Sequence, residues 1–302
     1  MLASEAPIFR GTFRVRNDTD PPNEGVEHIR KRLTDVKARV PIAIERVGKE
    51  RWGRCVNTSS TIEYRTRDRR VINRAYHKMH EILLSCVLPS TKTSVHLCEA
   101  PGGFVQCVFD HLSDSEWSWR AVTLETGVPV ASDVSLLPHE RGSFMFADVL
   151  CGADSVIERL SVAFPDGVDL VTADGATEMN HEHLEEEHFP LALAQTNIAL
   201  KCLHAGGNFI LKVFECLLPC TMDLIAALSQ AFDTVSMIKP FSSRPSNSER
   251  YLVCRSFHGD VTHIGTQPLF HVAQWTREYE AMVSRMAVLQ IKNLERALAS
   301  VS

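Results

Sequence analysis

The chain has 302 residues, 44% apolar and 23% charged, with 15 Gly and 14 Pro. This composition excludes disordered, collagen-like and low-complexity chains. The longest apolar stretch, 82–88, falls far short of the roughly 20 residues of a membrane span, and Glu5 interrupts any signal-peptide pattern, so the reading is an intracellular protein, nuclear or cytoplasmic. The formal net charge of −5 averages two unlike regions: residues 1–80 hold 18 basic and 10 acidic side chains, whereas the rest holds 14 basic and 27 acidic. A basic first quarter on an acidic body suggests an N-terminal part that faces a polyanion, and argues against non-specific coating of nucleic acid.

In chain order, residues 1–25 read as loop, with Asn17-Asp18-Thr19-Asp20-Pro21-Pro22-Asn23 as the turn-rich part, and 27–40 as a basic helix. Arg65-Thr66-Arg67-Asp68-Arg69-Arg70 is either an RNA contact or a solvated turn. From 71 to 257, short β-branched or apolar runs alternate with helical patterns. Helices are expected at 72–88, 104–112, 155–164, 184–203 and 221–231, the fourth closing at Gly206-Gly207, and strands at 94–98, 120–124, 143–147, 168–173, 208–213, 234–238 and 251–257. This is an α/β pattern: a doubly wound, mainly parallel seven-stranded sheet that binds ligands at the carboxyl ends of its strands. Trp275, Tyr279, Met282, Met286, Leu289, Ile291, Leu294 and Leu298 recur at helical spacing, a stripe that packs on the body or docks a partner helix. The expected organisation is a basic extension over 1–70, a main domain over 71–258, and a tail with an amphipathic helix over 259–302.

Leu97-Cys98-Glu99-Ala100-Pro101-Gly102-Gly103-Phe104 is a strand, a glycine turn and a helix start, where a doubly wound sheet holds its ligand. The helix N-terminus offers unpaired N–H groups to a carboxylate or phosphate. G-x-G-x-x-G and G-x-x-x-x-G-K-[ST] are both absent, which removes the main support for dinucleotide and P-loop readings. Glu125, ending the second strand, suits a ribose hydroxyl, and Asp148, after the third, an adenine amino group; each has a plainer reading as a helix cap or loop carboxylate.

Lys78, Asp174, Lys212 and Glu249 occur where the predicted topology returns to this edge or flanks it. A lysine inside Gly207-Asn208-Phe209-Ile210-Leu211-Lys212-Val213-Phe214 needs a partner, a task or a route to water. No metal ligands are assigned. The nine cysteines are scattered without a C-x-x-C, and His181-Glu182-His183 with Glu185-Glu186-Glu187-His188 has the wrong spacing for one helix face and reads instead as an acidic helix N-terminus.

Segments 99–106, 171–176 and 208–215, and above all Lys239-Pro240-Phe241-Ser242-Ser243-Arg244-Pro245-Ser246-Asn247-Ser248-Glu249-Arg250-Tyr251-Leu252-Val253, resemble the FtsJ-type ribose 2′-O-methyltransferases. Within them the likeness is greatest to the cap-specific mRNA 2′-O-methyltransferases of eukaryotes and viruses, through Ala173-Asp174-Gly175, the Ser243–Tyr251 part of that run, and Asn73-Arg74-Ala75-x-x-Lys78. The resemblance covers about 71–257. It implies a Rossmann-like methyltransferase fold, S-adenosylmethionine held by Glu99, Ala100, Pro101, Gly102, Gly103 and Phe104 with Asp148 at the adenine and Glu125 nearby, and a catalytic tetrad of Lys78, Asp174, Lys212 and Glu249. In that setting Lys212 acts as the base or steers the hydroxyl. Asn73 and Asn247, with Arg74 and Arg244 in the same motifs, would hold RNA. Capped mRNA is the implied partner, and further capping or transcription proteins could dock on the C-terminal helix. A methylated guanine stacks on aromatic faces, which makes Trp52, Tyr64, Phe13 and Phe241 the candidates.

Overall fold

The computed structural model describes residues 24–57, 71–86, 91–112, 116–125, 137, 139–176, 183–261, 264 and 277–301. The loop at 1–23, Phe13, Tyr64, the 65–70 arginine run, His181, Glu182 and Trp275 lie outside the described residues.

Seven strands form one sheet: β1 (Thr93–Leu97), β2 (Ser118–Thr123), β3 (Gly142–Phe146), β4 (Val168–Ala173), β5 (Leu203–Phe214), β6 (Phe232–Ile238) and β7 (Glu249–Phe257). Their spatial order is β3-β2-β1-β4-β5-β7-β6. β1 to β5 run parallel, and β7 is wedged antiparallel between β5 and β6. The central strands are buried along nearly their whole length, as expected for a sheet covered on both faces.

Among the described residues, five helices cover the two faces of the sheet. α4 (Ala75–Ser85) and α5 (Gly103–Leu112) cover the face carrying Leu170, Ile210, Tyr251 and Val253. α6 (Ala153–Ala163), α7 (Leu184–Cys202) and α8 (Pro219–Ala231) cover the face carrying Val171, Leu211 and Leu252. α8 opens on Pro219, whose missing N–H falls among the orphan donors of a first turn. α7 stops at Cys202 and not at the glycine pair: the chain turns directly into β5, and Gly206 takes a left-handed φ of 88° near the register shift between β4 and β5.

The described part of the basic extension, residues 24–57, is a helical layer. α1 (Glu24–Lys37), α2 (Arg39–Val47) and α3 (Lys49–Asn57) pack with the long α9 (Arg277–Ala299). Gly48, at φ 81°, breaks α2 from α3. Val26, Leu33, Val36, Val40 and Trp52 share one core with Tyr279, Met282, Met286, Ile291, Leu294 and Leu298. Trp52 is 8% exposed and is therefore not a stacking platform for a cap. Apart from exposed Leu289, the described part of the C-terminal stripe is spent on this layer, which leaves it no open face for a partner helix. No helix among the described residues is long and apolar enough to cross a membrane.

Close approach of α4 to α5 depends on one glycine. A Cβ on Gly103 would lie 2.0 Å from Asn73 Oδ1 and 3.1 Å from the Tyr76 nitrogen. Gly103→Ala should therefore cost about 1–3 kcal/mol, whereas Gly53→Ala, open in α3, should stabilise by about 0.5–1 kcal/mol; urea unfolding of both checks the contrast.

His96 on β1 is fully buried, bonded to Ser94 Oγ at 2.9 Å and Thr172 Oγ1 at 2.8 Å, and burial pulls its pKa down to about 3. A depressed histidine contributes stability above its unfolded pKa near 6.5 that is lost as pH falls towards 3, by up to ~1.4 kcal/mol per pH unit. His188, pulled to about 4, adds to the same window. Unfolding free energies between pH 7 and 3 should show this acid limb, and His96→Gln should flatten it while lowering stability at pH 7.

Candidate active site

The carboxyl ends of β4 and β5 and the start of β7 bring four ionisable side chains together. Lys212 lies on β5 directly opposite Tyr251 of β7, and Phe214 opposite Glu249, so Lys212, Tyr251 and Glu249 share the sheet face that α4 covers. Asp174 follows β4, where its N–H reaches Leu97 O at 3.4 Å. Lys212, only 4% exposed, places Nζ 2.7 Å from the Asp174 carbonyl oxygen and 3.1 Å from its Oδ1. The Tyr251 hydroxyl donates to the same Oδ1 at 2.7 Å. Lys78, from α4, donates to Glu249 Oε2 at 2.8 Å. The lysine on an apolar strand thus has a partner and does not run to water.

Electrostatics hold the Lys78–Glu249 pair ionised. Burial alone would lower the Lys78 pKa, but Glu249 and Asp174 outweigh it and raise it. Burial would raise Glu249, but Lys78 and Lys212 override it and bring the carboxyl to about 2. Glu249 Oε1 is buried and has no hydrogen-bond partner among the described residues. Behind the strand, His188 Nε2 lies 3.1 Å from the Lys212 carbonyl and its ring meets Phe214 edge-on at 4.8 Å, which fixes the backbone that carries Lys212.

The glycine turn differs from expectation in one respect. Glu99 Oε1 accepts the Phe104 and Val105 N–H groups at 2.7 and 3.1 Å, so the first turn of α5 is capped from within and is not open to an anionic ligand. Burial pushes Glu99 up to about 8 against those two bonds. Gly102 adopts φ 121° and is buried, with the Leu137 and Ile72 side chains 3.2–3.5 Å from where its Cβ would stand, and Ala100, Pro101 and Gly102 lead into buried Phe104. Beside it, half-exposed Leu124, Phe146 and Leu150 flank the exposed carboxylates of Glu125 and Asp148 at the ends of β2 and β3. Asp148 Oδ1 accepts the Leu150 N–H at 2.8 Å, a local turn that leaves Oδ2 available. Exposed apolar side chains beside two carboxylates at the ends of β2 and β3, with Asp174 after β4, fit a cationic sulfonium nucleoside in chemistry: faces for a purine, acceptors for its amino group and ribose hydroxyls, an anion for the sulfonium.

On the other side of the tetrad, Asn73 Oδ1 caps α4 through the Ala75 N–H at 3.0 Å. Asn247 Oδ1 accepts from Lys239 Nζ at 2.8 Å and Ser243 Oγ at 3.0 Å. Both asparagines therefore have only Nδ2 donors left for a ligand. Arg74 donates to Ser242 O at 3.2 Å, and Arg244 stands exposed close enough for Arg74, after burial, to lower its pKa.

Sequence reasoning missed the side chains that hold this loop. Lys239 Nζ donates to Ser243 Oγ, Asn247 O, Asn247 Oδ1 and Glu249 O at 2.8–3.2 Å, and burial pulls its pKa to about 7. Glu81 of α4 accepts the Phe241 and Ser242 N–H groups. The one signal available for Lys239 was a lysine between an apolar strand and Pro240. Glu185, read as a helix-end charge, is buried and accepts the Leu217 and Leu218 N–H groups at 2.9–3.0 Å.

The sequence profile of the FtsJ-like methyltransferases matches residues 71–257. Similar proteins include a cap-specific mRNA (nucleoside-2′-O-)-methyltransferase 2 of Drosophila melanogaster, 29% identical over 78% of this chain and 37% of the relative. The protein of that name in Pongo abelii is 30% identical over 61% of this chain and 27% of the relative. A cap-specific mRNA (nucleoside-2′-O-)-methyltransferase of Autographa californica nuclear polyhedrosis virus is 33% identical over 48% of this chain and 52% of the relative. The chain thus spans about a quarter to a half of the length of these relatives. With the profile covering more than half of its residues, the chain belongs to the FtsJ-like methyltransferase family, whose methyl donor is S-adenosylmethionine.

Proposed function

We propose that the chain methylates the ribose 2′-hydroxyl of the first or second transcribed nucleotide of capped mRNA. The observation that carries this reading is the pair of ion pairs, Lys212 with Asp174 and Lys78 with Glu249, buried at the carboxyl edge of the sheet beside the donor turn. The printed names of the relatives favour a capped substrate.

Bound S-adenosylmethionine supplies a methyl carbon activated by its sulfonium. The protein's part is to align a hydroxyl oxygen with that carbon and deal with the hydroxyl proton, and alignment alone contributes on the order of 7–11 kcal/mol in favourable cases. Lys212 takes the proton or aims the hydroxyl lone pair, with two oxygens of Asp174 fixing its amine. Glu249 fixes Lys78, and together they set the field around Lys212. Tyr251 holds the Asp174 carboxylate in place. Arg74 and Arg244 meet RNA phosphates, and the Nδ2 groups of Asn73 and Asn247 donate to the strand. Phe241, 36% exposed on the same loop, is the described aromatic best placed to stack on the cap.

Purified protein is incubated with radiolabelled S-adenosylmethionine and matched RNAs bearing a 7-methylguanosine cap, an unmethylated guanosine cap or no cap. Nuclease mapping should place the label on the ribose of the first or second nucleotide, dependent on the cap. Lys212→Ala should lower turnover by about 10²–10⁴-fold with donor affinity nearly unchanged. Label on uncapped RNA would move the chain to ribosomal or transfer RNA methylation, and donor binding without label would make it a non-catalytic RNA- or partner-binding module. Phe241→Ala should raise KM for capped RNA about fivefold, ~1 kcal/mol, with kcat little changed.

A further inference from the structure

On the outer side of α4 and α5, three side chains that methyl transfer leaves unused meet. Cys107 and His111 stand one turn apart on α5, and His80 faces them from α4; one donor atom from each lies within 4.8 Å of the other two. The His80 and His111 rings meet edge to face at 5.1 Å. His80 Nδ1 is buried and has no hydrogen-bond partner among the described residues, an unusual state for an imidazole nitrogen inside a protein. Cys107 is completely buried, whereas His111 is exposed, so the cluster has an inner end and a solvent mouth.

We propose that His80, Cys107 and His111 bind a Zn²⁺ ion, with solvent in the fourth position. One thiolate and two neutral imidazoles form a donor set that zinc takes at about 2.3 Å for sulfur and 2.0–2.1 Å for nitrogen. On binding, the Cys107 thiol gives its proton to solvent and its sulfur becomes the anionic ligand, so affinity rises with pH. The ion would clamp α4, which carries Lys78 two residues before His80, to α5, which starts at the donor turn. This site does not depend on the RNA substrate proposed above.

The full chain, freed of metal with a chelator, is titrated with Co²⁺ and then with Zn²⁺. A thiolate-to-cobalt charge-transfer band should appear and saturate at one equivalent, and Zn²⁺ should bleach it. His111→Asn, at the surface, should weaken Zn²⁺ binding at least about tenfold and abolish the rise in melting temperature that Zn²⁺ gives the wild type. Cys107→Ser should remove the band. Absence of a band, or a band and affinity unchanged in His111→Asn, would overturn the assignment. Should Cys107→Ser fail to fold, His111→Asn decides alone.

Discussion

The register of β7 on β5 is the constraint on which the site rests. Lys212 faces Tyr251 across the two strands and Phe214 faces Glu249. Because side chains alternate at every residue, a slip of one position would send Tyr251 and Glu249 to the opposite face, away from α4 and Lys78. Lys212 would then keep Asp174 without its tyrosine, and Lys78 would lose its carboxylate. Buried charges tolerate no such vacancy, since removing one partner of a buried pair commonly costs several kcal/mol. Apolar packing of β7 against both neighbours and pairing of four charges therefore demand the same register.

Two clamps hold that register at its ends. Between β6 and β7, Lys239 gathers the oxygens of Ser243, Asn247 and Glu249, and Glu81 reaches across from α4 to the Phe241 and Ser242 N–H groups. After β5, Glu215 and Cys216 adopt left-handed φ values of 38° and 62°, a conformation that non-glycine residues hold only under compensation. The compensation comes from far along the chain. Lys37 of α1 pairs with the Glu215 carboxylate, Arg250 donates to its carbonyl, and the Tyr279 hydroxyl of α9 donates to Cys216 O at 2.7 Å. The N- and C-terminal helices are thereby part of the scaffold that fixes the end of β5, the strand that carries Lys212.

The two sides of the site are built differently. On the donor side, Glu99 accepts the Phe104 and Val105 N–H groups at the start of α5, so the exposed carboxylates at the ends of β2 and β3 are what remain for a ligand. On the other side, asparagine oxygens are consumed internally and the free groups are donors and cations: the Nδ2 atoms of Asn73 and Asn247, with Arg74 and Arg244. Exposed carboxylates on one side and exposed cations on the other thus flank two ion pairs. That division matches a cationic donor on one side and a polyanion on the other.

Much of this was legible in the sequence. Alternating apolar runs gave the strands to within a residue or two, except β5, whose first part was taken for the end of α7 because Gly206-Gly207 looks like a helix stop when it is in fact an irregularity in a strand. Lys212 announced itself, since a cation on a buried strand must be paired. Motif likeness named Lys78, Asp174 and Glu249, but Lys212 meets Asp174 across the parallel β4 and β5, and Lys78 meets Glu249 only through the antiparallel insertion of β7, neither of which a local pattern encodes. The same holds for Trp52, whose ring is buried in the helical layer, and for residues 24–57 of the basic extension, whose charge suggests a polyanion while their apolar side chains join a helical core. Local sequence determines period, propensity and the chemistry of each side chain; only tertiary structure decides which charges neutralise each other and which hydrogen-bonding groups are already satisfied, because both depend on distances between residues far apart in the chain.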